Sequence, residues 1–86
     1  MSPYKLKYTP EALQGIAKLP QNLKEIAEHV LLNLAENPAS GKRLMGEMKG
    51  ICSIRVTRRY RMLYLIKHAE KEIIILDLKH RKEAYD

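Results

Sequence analysis

Ile54-Arg55-Val56-Thr57-Arg58-Arg59-Tyr60-Arg61-Met62-Leu63-Tyr64 is the stretch on which the reading of this chain turns. It sets four arginines and two tyrosines inside what otherwise reads as two apolar strands joined by a tight connection. A strand needs only alternating apolar side chains to bury one face, so fixed positive charge here calls for a second reason. Ile54 and Val56 share one parity, with Arg55 and Thr57 on the other. In the following strand Met62, Tyr64 and Ile66 share a face, and Arg61, Leu63 and Leu65 share the opposite one. A connection of two or four residues would put Val56 on the face of Arg61. A connection of three, Arg58 to Tyr60, pairs Thr57 with Arg61, Arg55 with Leu63 and Val56 with Met62. That register gathers the core on one face and Arg55 with Arg61 on the other. The spacing therefore predicts an odd-length connection with Arg58 and Arg59 at its tip.

Working outward, Lys67 to Lys71 is a polar hairpin loop, and Glu72-Ile73-Ile74-Ile75-Leu76-Asp77-Leu78 is a nearly continuous apolar strand. Such a run predicts an interior strand with both faces covered. Upstream, residues 39–50 hold three glycines and read as a loop with a short strand around Arg43-Leu44-Met45. Before that, Leu23, Ile26, Ala27, Val30, Leu31 and Leu34 recur at helical spacing, and Asn37-Pro38 ends the helix. Leu13, Ile16 and Ala17 mark a shorter helix ending near Leu19, before Pro20. Thr9 is its N-cap candidate, Pro10 suits its first position, and Glu11 complements its dipole. Tyr4-Lys5-Leu6-Lys7-Tyr8 alternates as a strand with one wet face. The expected class is α+β: an N-terminal strand, an antiparallel helical hairpin, then a mostly antiparallel twisted sheet, in the order β-α-α-β-β-β.

The chain has 86 residues, which predicts a single domain over 1–86. Domains of this size bury only roughly 60–65% of their unfolded surface, so a partner can contribute to stability. Sixteen Lys and Arg against ten Asp and Glu give a net charge of +6, which favours a nucleic acid or an acidic protein partner. Cys52, the only cysteine, has no disulfide partner and reads as a small buried hydrophobe. No clustered Cys, His and carboxylate set points to a metal, and no cofactor is expected. No run approaches the roughly 20 apolar residues that span a bilayer, so the default expectation is a cytoplasmic protein without a membrane partner.

Arg61 stands apart from the other cations. Tyr60, Met62 and Leu63 flank it in an interior strand, where an arginine is kept for a carboxylate or for a functional anion. Asp77 is the nearest internal candidate. Arg58 and Arg59 fit a solvated turn equally well, and His29 and His68 carry no assignment.

With this element order, Arg55-Val56-Thr57, then Tyr60-Arg61-Met62-Leu63-Tyr64, and the tail His80-Arg81 followed by Tyr85, the chain resembles the RelE/ParE toxin superfamily. The nearer likeness is to the RelE branch that includes YoeB- and HigB-type toxins. The resemblance covers essentially the whole chain. It implies an mRNA endoribonuclease acting in the ribosomal A site and held silent by a small acidic RelB-like antitoxin in a hetero-oligomer. It also implies a helical hairpin on one side of the sheet and RNA on the other. Carried over by motif, Arg61 would contact the scissile phosphate, Arg55 would be the basic residue one strand earlier, and Arg81 and Tyr85 the functional tail. Lys42 or Lys49 would take the place of further lysines; apart from the resemblance, Arg58 and Arg59 at the turn tip are expected to steer RNA or hold the antitoxin, and Lys79 to bind RNA. The chain departs from the branch in carrying Arg58-Arg59 where an acidic residue or glycine is common, and no Glu matches a known base.

The implied reaction is attack of the RNA 2′-hydroxyl on the adjacent phosphate, which needs positioning, charge neutralisation and proton transfer at two oxygens. Arginine stays protonated and stabilises charge rather than accepting a proton. Histidine titrates nearest neutrality, which makes His80 the ordinary choice of proton carrier, although its parity with Leu78 fits a buried structural role equally well. Tyr85 or a lysine among cations is the other choice. Two further readings stay open: a ParE-like gyrase inhibitor with no chemistry of its own, and a basic RNA-binding module.

Overall fold

The computed structural model describes residues 3–43 and 50–80. Strand β1 (Lys5–Tyr8) is followed by helices α1 (Pro10–Ala17) and α2 (Gln21–Glu36) and a single 3-10 turn (Pro38–Ser40). Then come β2 (Lys42–Arg43), β3 (Cys52–Arg55), β4 (Tyr60–Lys67) and β5 (Glu72–His80). The strands form one sheet in the order β1-β5-β4-β3-β2, parallel between β1 and β5 and antiparallel elsewhere. This is the expected α+β fold. The short strand falls on Lys42–Arg43, while Leu44, Met45, Lys49, Arg81 and Tyr85 lie outside the described residues.

The helices pack on one face of the sheet. Ala12, Leu19, Ala27, Leu31 and Leu34 from the helical side meet Cys52, Val56, Met62, Tyr64, Ile73, Ile75 and Leu78. The α2 stripe holds except at Ile26, which is 40% exposed, while Ala35 is buried beside Leu34. Gly15 lets α1 approach the sheet closely, because a Cβ there would sit 3.1 Å from the Leu78 Cβ. Among the described residues no helix is long and apolar enough to cross a membrane.

Strand β5 runs inside the sheet, as its apolar sequence predicts, but the expectation that both its faces are covered needs correcting. The helices cover only the face of Ile73, Ile75 and Leu78. On the other face Ile74 is half-buried, directly opposite Leu65 of β4, and the pair shields itself across the strands.

A bulge breaks the β4–β5 ladder: Leu63 pairs with Asp77, yet Tyr64 pairs with Ile75, so Leu76 has no opposite number. The extra residue reverses the parity of β5. Before it Ile73 and Ile75 face the helices; after it Leu78 does, and Asp77 and Lys79 turn to the open face.

Thr9 anchors this bend. Its Oγ1 donates to the Leu76 carbonyl at 2.5 Å and accepts from the Ala12 amide at 3.1 Å, while its own amide donates to the Ile75 carbonyl at 3.1 Å. One hydroxyl thus caps α1 and satisfies the carbonyl that the bulge frees. Thr9→Ala is expected to destabilise the fold by about 1–2 kcal/mol, read from the midpoint of urea unfolding. An unchanged midpoint would show that the clamp contributes nothing.

Tyr64 is fully buried, donates to the Pro38 carbonyl at 3.4 Å and lies against Gly41 and Cys52. Burial, and then the neighbouring Cys52, pushes its hydroxyl up from 10.0 to about 12. Burial raises the Cys52 thiol as well, which suits a packed side chain rather than a reactive one. Because the folded value of Tyr64 exceeds the unfolded one, its contribution is complete below pH 10 and is lost as pH rises toward 12. Unfolding free energy should therefore fall across that window, and Tyr64→Phe should flatten the fall.

Candidate nucleic-acid interface

The hairpin of β3 and β4 pairs Arg55 directly with Arg61 and Ile54 with Met62. This corrects the predicted register by two residues. Arg61 stands opposite Arg55 rather than Thr57, and five residues, not three, separate the last partners. The cause is at the tip, where the Val56 and Thr57 amides both donate to the Tyr60 carbonyl at 3.0 and 3.3 Å. Thr57 Oγ1 accepts from the Arg59 amide at 3.2 Å, which tightens the turn further. Val56 and Thr57 are thereby drawn out of the ladder, with Val56 still buried. The count between partners stays odd, so Arg55 and Arg61 share the face away from the helices, as expected. Arg58 and Arg59 are exposed at the tip.

Across the next strand Arg61 pairs with Lys79. Lys79, Arg61 and Arg55 therefore form a row over β5, β4 and β3, at the roughly 4.8 Å spacing of neighbouring strands. Lys42 joins them, since it pairs with Ser53, whose parity is that of Arg55. An open groove of about 280 Å³ runs between Ser40, Gly41, Lys42, Ser53, Arg55 and Arg61. Arg61 is half-buried and donates from Nη1 to Ser53 Oγ at 2.9 Å. Asp77 accepts from the Leu78 amide at 2.8 Å and pairs with Lys79 at 3.2 Å.

Like charges directly opposite one another, as Arg55 and Arg61 are, destabilise a sheet, while Asp77 offsets Lys79 within the row. Residues on the outer side of α2, Glu25, Glu28 and Glu36, are exposed and acidic. The molecule is thus positive over its open sheet face and negative over α2, a distribution that orients it toward a polyanion.

His80 lies elsewhere. It pairs with Tyr60 on the face of Met62 and Leu78, and the two rings meet edge to face with centroids 5.3 Å apart. The structure brings Arg55, Arg61, Lys79 and Lys42 together on one face and leaves His80 on the other. Ser53 is the site residue that sequence reasoning missed; its signal was a small polar side chain between Cys52 and Ile54, where a strand favours β-branched residues. Among the described residues no three His, Cys, Asp or Glu side chains gather as metal ligands.

A helical pair on one sheet face and a row of cations on the other define an α+β domain with one cationic sheet face. The chain matches the family model for the ParE toxin of the type II toxin–antitoxin system parDE over residues 6–85. It is 33% identical over 85 residues to toxin RelG of Mycobacterium tuberculosis, covering 96% of this chain and 97% of that protein. The toxin–antitoxin complex RelBE2 from Mycobacterium tuberculosis contains a chain that superposes with a TM-score of 0.82 at 32% identity, covering 94% of each. The archaeal RelE–RelB complex from Pyrococcus horikoshii OT3 shares the fold at a TM-score of 0.76 and 22% identity, over 94% of this chain and 97% of that one. The intact E. coli RelBE complex does so at 0.76 and 20%, over 88% and 94%. The chain belongs to the RelE/ParE superfamily of type II toxin–antitoxin toxins.

Proposed function

We propose that this toxin is a ribosome-dependent mRNA endoribonuclease that inhibits translation and is neutralised by an acidic antitoxin. The observation that carries this reading is the row of Arg55, Arg61 and Lys79 on an open sheet face beside a groove. Bound RNA would lay its backbone across the row, with Arg61 at the scissile phosphate and Arg55 and Lys79 on either side. Lys42 extends the cationic surface toward β2, and the tip arginines Arg58 and Arg59 extend it beyond the hairpin. Lys49 would add a further contact.

In the reaction the 2′-hydroxyl oxygen attacks phosphorus, the P–O5′ bond breaks, and a 2′,3′-cyclic phosphate and a 5′-hydroxyl result. The cations hold the in-line geometry and neutralise charge that builds on the non-bridging oxygens. Arginine is unsuited to accept the 2′-hydroxyl proton. Because His80 faces Tyr60, the proton carrier is sought elsewhere, with Tyr85 the first choice, while Arg81 is assigned to charge neutralisation. The RelE–RelB and RelBE2 complexes are assemblies of toxin with antitoxin, which supports an antitoxin partner here too.

The match to a ParE family model favours one other reading, a gyrase inhibitor without chemistry. The two separate in a paired assay of the purified toxin in coupled translation and in DNA supercoiling by gyrase. Arrest of translation with cut mRNA and normal supercoiling supports the nuclease; the opposite pattern supports the inhibitor.

A further inference from the structure

We infer that Ser53 is a positioning residue, whose hydroxyl fixes the Arg61 guanidinium in the orientation that meets the scissile phosphate. The inference rests on the reading of Arg61 as the phosphate ligand.

Ser53 is 4% exposed and is the one polar or charged residue in the buried class among the described residues. A buried hydroxyl is unfavourable in a strand unless it is hydrogen-bonded, and valine or threonine would suit the position better by propensity. Its partner is Arg61, which donates from Nη1 to Ser53 Oγ at 2.9 Å. The serine is itself fixed, because its backbone pairs with Lys42 on one side and Leu63 on the other.

The need for such a tether follows from charge. Arg61 stands opposite Arg55, a like charge, and on its other side opposite Lys79, whose ammonium Asp77 engages at 3.2 Å. A long arginine side chain beside a like charge has several rotamers open to it. A charge-assisted bond to a rigid acceptor selects one of them and removes rotamer freedom before RNA arrives. The same groove is lined by Ser53, Arg55 and Arg61, so the tether acts where the anion would sit.

This predicts a loss in the chemical step rather than in binding. Single-turnover cleavage of ribosome-bound mRNA should be compared for wild type, S53A and S53T, alongside their thermal midpoints. S53A is expected to keep the fold and to lower the maximal rate by about 10-fold or more. Its half-saturating toxin concentration should stay within about twofold of wild type, because the cations remain. S53T keeps the hydroxyl and should recover most of the rate. Should S53A fail to fold, S53C, near in volume and a weak acceptor, takes its place. Equal rates for wild type and S53A would overturn the inference, as would S53T remaining as slow as S53A, or a fall confined to binding. Absence of cleavage by wild type would instead overturn the nuclease reading itself, and Ser53's role with it.

Discussion

Arg61→Ala is expected to lower mRNA cleavage by at least about 10²–10³-fold while leaving the protein folded. Arg61 is the middle member of the row, with Arg55 on β3 and Lys79 on β5 as its direct neighbours. Each neighbour stands on an adjoining strand, so removing Arg61 leaves a gap in the middle of the row. The fold should tolerate the change because two effects oppose each other. Removing the guanidinium relieves a like-charge pairing with Arg55, and it removes the donor to Ser53 Oγ. Each is worth on the order of 1 kcal/mol, so the thermal midpoint should move by only a few degrees. Arg61→Lys keeps the charge but loses the planar fork, and should recover RNA binding more than rate. Cleavage measured by primer extension, with the thermal midpoint as control, checks all of this.

Gly41→Ala is expected to be the most damaging small substitution outside the cationic row. The backbone of Gly41 runs so close to the core that an added Cβ would collide with the Tyr64 hydroxyl and lie 2.7 Å from the Ser53 carbonyl oxygen. Tyr64 is fully buried and cannot swing aside, and the Ser53 carbonyl belongs to a paired strand. β2 must therefore move off β3. Overpacking of this kind costs about 1–3 kcal/mol, a large share of the stability of so small a domain. Lys42 follows Gly41 directly, so the same displacement should weaken RNA binding. Urea unfolding together with RNA affinity tests this, and an unchanged urea midpoint would contradict the packing described for Gly41.

The helices were legible because their signals are local. Thr9-Pro10-Glu11 marks one start, and the stripe from Leu23 to Leu34 marks the second helix. The shared face of Arg55 and Arg61 was legible as well, since alternation fixes which residues lie together. The register was not. Shifting a hairpin by two residues leaves every side chain on its original face, so parity has nothing to say about it. What decides it is the tip, where two amides converge on the Tyr60 carbonyl and take Val56 and Thr57 out of the ladder.

The bulge at Leu76 was hidden for a related reason. Ile73 to Leu78 is apolar almost throughout apart from Asp77, and a run without alternation cannot show where alternation slips. Yet the slip carries Lys79 onto the face of Arg61. Without it Lys79 would share the face of Ile73 and Ile75 and point at the helices. Thr9 was legible as a cap, but its bond to the Leu76 carbonyl joins residues 67 positions apart. Ser53 was passed over because a small polar residue in a strand, though out of place by propensity, does not name its partner.

The open face of the sheet is proposed as a platform for RNA cleavage through the 2′-hydroxyl. The most direct measurement is the chemistry of the ends left on ribosome-bound mRNA after exposure to the toxin, read by mass spectrometry. A 2′,3′-cyclic phosphate on the upstream fragment and a 5′-hydroxyl on the downstream one, both absent with Arg61→Ala, is the predicted result. A 3′-hydroxyl with a 5′-phosphate, or intact mRNA at toxin levels that arrest growth, would contradict it.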